Sequence, residues 1–60
     1  MTKKDYVLIA KDIKKAIENS KTAEQKEAIK DLALVFTLSF RVENIRFDDD
    51  GFLQACGIIG

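Results

Sequence analysis

The chain has 60 residues, ten basic and ten acidic side chains, no net charge and no histidine. At this length it makes at most one domain, and folding buries only about 60% of the surface that the unfolded chain exposes. A single cysteine excludes an internal disulfide and, without histidine, a closed tetrahedral zinc site, which leaves self-association as the expected source of extra stability.

The first predicted element is a helix over residues 3–19. Thr2 and Asp5 have the spacing of a capping box with the shorter acid at N3. Tyr6, Ile9, Ala10, Ile13, Ala16 and Ile17 then recur at steps of three and four, which gives one apolar stripe. Lys4, Lys11, Asp12, Lys14, Lys15 and Glu18 fall mostly outside it. Leu8 points away from the stripe, either as an exposed hydrophobe or as a contact. The apolar run "VLIA" is flanked by charges and is too short for a signal peptide's apolar region. "NSKT" reads as a polar connector of ordinary helix–helix length.

A second helix is predicted over 23–43, with Thr22 as N-cap and Gln25 completing a box. Glu27 stands three residues before Lys30, a stabilising spacing on a helix. The difficult segment is "LALVFTLSFRV", where every even position from Leu32 to Val42 is large and apolar. Alone, that alternation is a strand template. Nothing else in the chain reads as a partner strand, and even an isolated hairpin is barely stable in water. A helix places Ile29, Leu32, Ala33, Phe36 and Phe40 on one face and Leu34, Val35, Leu38 and Val42 on the opposite one. A helix apolar on two sides is expected to be covered on two sides.

The third predicted helix spans 49–56. Asn44 is the expected terminator of the second helix, because asparagine tolerates left-handed geometry. Asp48 is the N-cap, Asp49 and Asp50 lie in the first turn, and Phe47 and Phe52 have the spacing of a hydrophobic staple. Phe52, Leu53 and Cys56 form an apolar edge, and Gly57 suits the position just past the end. Gly51 inside this helix is the odd residue, at an expected cost of about 1 kcal/mol relative to alanine.

Proline is absent and glycine occurs only at 51, 57 and 60, which favours helices over a turn-rich β fold. The expected fold is a single small all-α domain: an antiparallel helical hairpin plus a short C-terminal third helix, dimerising through the extra apolar face.

Both ends of the chain carry a resemblance. The opening Met1, Thr2, Lys3, Asp5 and Tyr6 and the closing Arg46, Phe47, Asp48, Phe52, Leu53, Ala55, Cys56 and Gly57 are similar to a group of short uncharacterised bacteriophage and prophage proteins. Members begin Met-Thr-Lys-x-Asp-Tyr and end with Arg-Phe-Asp and then Phe-Leu-x-Ala-Cys-Gly, around a variable middle. They often have proline before the Arg-Phe-Asp and a basic residue before the last phenylalanine, where this chain has Ile45 and Gly51. The departures weaken the start of the third helix. The resemblance implies a phage or mobile-element origin and a cytoplasmic setting in a bacterial host; it implies no activity.

The chemistry-bearing residues point away from an enzyme. A calcium loop needs oxygen ligands at alternate positions and a glutamate at position twelve. "DDDG" sets three carboxylates in a row, and position twelve from Asp48 is Ile59. Cys56 has no histidine to activate it and reads as a small buried hydrophobe. No cofactor, metal or membrane span is expected. Leu34, Leu38 and Val42 are the candidate surface for a homodimer or for a host or phage protein. The alternative is a nucleic-acid face made of Lys11, Lys14 and Lys15, supported by an uneven charge: residues 1–30 sum to +3 and residues 31–60 to −3. Against it, recognition helices usually offer Arg, Asn or Gln to base edges.

Overall fold

The computed structural model describes residues 1–60 and contains three α-helices and no strand: α1 (Lys3–Glu18), α2 (Ala23–Glu43) and α3 (Asp49–Ala55). The alternating segment 32–42 is therefore helical. At about 1.5 Å per residue α2 is about 31 Å long, and it sets the longest dimension of the 34 × 19 × 18 Å molecule. No helix is long and apolar enough to cross a membrane.

Local hydrogen bonds start each helix. At α1 the Asp5 carboxylate accepts from the Thr2 amide at 2.9 Å and from its hydroxyl at 3.2 Å. Those two bonds, the amide first, hold the Asp5 carboxyl below its usual range. At α2 the Thr22 hydroxyl accepts from the Gln25 N–H at 3.1 Å. The Gln25 side chain reaches back to the Lys21 N–H, one residue before the expected capping-box partner, at 2.8 Å. At α3 Asp48 Oδ1 accepts from the Gly51 N–H at 3.0 Å, and the Phe47 and Phe52 rings close the staple at 5.6 Å. The helix runs through Gly51 without interruption.

Two helices end one residue before the expected position, α1 at Glu18 and α3 at Ala55, and the end of α2 differs in conformation. Asn44 does end α2, but in an extended conformation with φ −141° and ψ 104°, and no residue other than glycine has a positive φ. Its side-chain oxygen accepts from the Arg46 N–H at 3.0 Å, so an Asx-type turn replaces the left-handed stop. The left-handed stop occurs once, at Gly57 with φ +79°. There the Gly57 N–H donates to the Gln54 carbonyl at 2.9 Å and the Ile58 N–H to the Leu53 carbonyl at 3.0 Å. Both bonds together make a Schellman motif.

The core is small and aromatic. Tyr6, Ala10 and Ile13 from α1, Ala33 and Phe40 from α2, Phe52 of α3 and the following Cys56 are its buried residues. Phe40 is the hub, with ring centroids 4.9 Å from Tyr6, 5.7 Å from Phe36, 5.4 Å from Phe47 and 5.5 Å from Phe52. Each helix packs against both of the others. Two ion pairs tie ends together: the Met1 amine to Glu43 at 2.7 Å, and Arg41 at the end of α2 to Asp49 at the start of α3.

Two positions leave the expected core stripes. Ala16 and Leu32 are exposed, Leu32 by 51%. Thr37, not expected inside, is buried with its hydroxyl donating to the Leu34 carbonyl at 2.6 Å. Ala33, Thr37 and Phe40 follow the i, i+4, i+7 spacing of one helix face. That local bond satisfies the threonine, so the core line runs through it and Leu32 is turned outward.

A bare apolar face on the second helix

The candidate surface lies on the side of α2 opposite Ala33, Thr37 and Phe40. Leu34 is 45% exposed, Val35 56%, Leu38 62% and Val42 89%. The sequence left open whether the third helix covers this face. It does not: α3 turns its Phe52 against Phe40 and lies on the core side of α2. Single exposed hydrophobes are ordinary, but four within just over two turns of one helix make a patch of the kind that marks interaction sites. The same helix face is acidic nearer its start, where Glu24, Glu27 and Asp31 are all exposed.

The lysines of the alternative reading lie together on α1. Lys11, Lys14 and Lys15 are exposed, form no ion pair, and line a shallow polar cleft of about 350 Å³ with Glu18. Glu18 puts a carboxylate among them. Lys14 also has a packing role, since its aliphatic stem passes close to Gly57: a Cβ there would lie 3.7 Å from Lys14 Cγ. Exposed Val7 and Leu8 interrupt the basic face.

A third feature was not legible in the sequence. The start of α1, the connector after α2 and the body of α3 enclose a half-open groove of about 450 Å³. Tyr6, Val7, Ala10, Phe47 and Phe52 form its apolar lining, and Lys3, Arg46 and Asp48 contribute charge. The groove gathers residues from both ends of the chain, which only the fold brings together. The Tyr6 hydroxyl is buried with no hydrogen-bond partner.

The acidic run and the cysteine are engaged structurally. Asp48 caps α3, Asp49 pairs with Arg41, and no three metal-ligating side chains converge anywhere in the molecule. Cys56 is fully buried, and burial pushes its thiol pKa up, the reverse of what a nucleophile needs. No protein-family model matches this sequence, and no match is found among curated proteins or solved structures.

Proposed function

We propose that this chain is a non-enzymatic interaction protein of a phage or mobile element, working in the cytoplasm of a bacterial host. It self-associates as a homodimer, or docks on a host or phage protein, through the outer face of α2. The observation that carries the reading is the exposure of Leu34, Leu38 and Val42 on a helix whose opposite face is already buried. The phage origin is supported by the resemblance of the two chain ends. Within the subunit we read α1 and α2 as an antiparallel hairpin. The Met1 amine at Glu43 and the Tyr6 ring on Phe40 support this, since both join the start of α1 to the end of α2.

Sedimentation velocity from low to high micromolar concentration tests the proposal. The expected result is a mass that rises from one copy to two, and that stays at one copy for Leu38→Lys with unchanged helical circular dichroism. A strict monomer throughout rejects self-association.

A second reading, nucleic-acid binding, is favoured by the unpaired Lys11, Lys14 and Lys15 on one side of α1. It predicts retention of DNA or RNA at low salt, where phosphate contacts are strongest. That retention should vanish on Lys11→Glu with Lys15→Glu.

A further inference from the structure

We infer that the groove between α1, the connector after α2 and α3 binds a small aromatic carboxylate. The ring of the ligand rests on Tyr6, Phe47 and Phe52, and its carboxylate lies between Lys3 and Arg46. This site is separate from the outer face of α2 and does not depend on the homodimer reading. Two properties coincide here and nowhere else on the molecule: an enclosed apolar floor and free cations at its edge. The cleft beside Lys11, Lys14, Lys15 and Glu18 has no apolar wall. The outer face of α2 is apolar but encloses no cavity.

The floor is an outward extension of the aromatic core. Phe47 stands between Tyr6 and Phe52, with ring centroids 4.8 and 5.6 Å away and interplanar angles of 61° and 57°. Tilted rings offer edges and faces on which a further ring packs at centroid distances of about 4.5–7 Å. Phe47 is only partly buried, and Val7, 55% exposed, walls the groove on the α1 side. Tyr6 lines the groove while its hydroxyl is buried, so a ligand meets the ring and not the phenol oxygen. The volume of about 450 Å³ lies in the ordinary range for small-molecule sites. One turn of helix with its side chains fills about 500 Å³ by itself. The groove therefore has room for a ring and a head group, not for a docked helix.

The charge selects an anion. Lys3 and Arg46 both line the groove, and neither belongs to any of the three ion pairs. The other positive charge in the lining, the Met1 amine, is already held by Glu43. Asp48 is the one acid in the lining, and its Oδ1 is engaged by the Gly51 N–H as the cap of α3. A guanidinium presents two parallel N–H groups to a carboxylate, and an ammonium adds a point charge. The Asx-type turn at Asn44 holds the Arg46 backbone in place, and folding brings Lys3 beside the same groove.

Amide chemical shifts of the nitrogen-15-labelled full chain, titrated with 3-phenylpropionate, test the site. Saturable shifts are expected at Tyr6, Val7, Phe47 and Phe52, with Leu34, Leu38 and Val42 unmoved. A ligand of about eleven non-hydrogen atoms in a half-open groove should bind with a dissociation constant in the low millimolar range or tighter. The neutral 3-phenylpropanol should bind more weakly, and the cationic 3-phenylpropylamine more weakly still. Lys3→Gln and Arg46→Gln should each weaken phenylpropionate by about two- to fivefold, the scale of one exposed ion pair, and leave phenylpropanol unchanged. Both side chains are exposed and unpaired, so neither variant threatens the fold. Equal affinity for acid, alcohol and amine overturns the carboxylate assignment. Shifts confined to α2, or none in the groove at about 20 mM, overturn the site. The same chemistry occurs at a chain end with a terminal phenylalanine. N-acetylglycyl-phenylalanine binding more than about tenfold tighter than phenylpropionate overturns the small-molecule assignment in favour of a peptide terminus.

Discussion

At position 51 helix propensity alone favours alanine by about 1 kcal/mol. The Asp48 carboxylate occupies the space that an alanine would need: a Cβ there would lie 2.5 Å from Asp48 Oδ2 and 3.0 Å from Cγ. Alanine must therefore push the Asp48 carboxylate aside, which weakens the cap by up to about 1 kcal/mol. The two effects oppose, so Gly51→Ala is expected to change stability by less than about 0.5 kcal/mol. In an Asp48→Ala background the same change should stabilise by about 1 kcal/mol. A double-mutant cycle by chemical denaturation measures the difference. Tyr6 offers the opposite kind of case. Its hydroxyl is buried without a partner, and an unsatisfied buried hydroxyl costs about 1–3 kcal/mol. Tyr6→Phe should raise the denaturation midpoint, and a fall would mean that the hydroxyl has found a partner in solution.

Among the helices, the ends were the most legible part of the sequence. Thr22 and Asp48 each accept a hydrogen bond at the N-terminus of the helix they precede, as their types imply. Gly57 takes the left-handed conformation that glycine adopts without strain. The identity of α2 was harder, because alternation along 32–42 mimics a strand, and the case for helix rested on the lack of a partner strand and on the two apolar faces that a helix makes of the same residues. Its outer face was legible, whereas its core line was displaced: threonine reads as polar until its hydroxyl is seen bonded to the Leu34 carbonyl. The groove was invisible, since it joins residues from opposite ends of the chain. α3 illustrates how an element too short to persist alone is held. Its seven residues have a cap and staple at one end, a Schellman motif at the other, and Phe52 in the core. Gly57→Ala forces a Cβ into left-handed backbone at a cost of about 1–2 kcal/mol. Hydrogen exchange should then speed up first at the amides of Cys56, Gly57 and Ile58, while α1 and α2 keep their protection.

For the whole molecule, only eight of 60 residues are buried, so a few favourable contacts decide whether it stays folded. Its charged groups give that stability a defined pH window. The Asp5 carboxyl is held below its usual range by the Thr2 bonds, so its contribution is present above about pH 4 and is lost as pH falls through the lowered value. Two groups act at the alkaline side. Glu43 raises the Met1 amine and burial raises the Cys56 thiol; both contributions are complete at low pH and decline above about pH 8. Thermal melts across pH should show a plateau between these limits, and Cys56→Ala should remove the later part of the alkaline decline. The aromatic hub makes such measurements possible without a label. The chain has no tryptophan and one tyrosine, and the Tyr6 ring lies 4.9 Å from Phe40 and 4.8 Å from Phe47. The phenol is thus a built-in optical reporter, placed where the packing of all three helices meets. Its near-ultraviolet dichroism should vanish when any one helix detaches, even while the far-ultraviolet signal of the remaining helices persists.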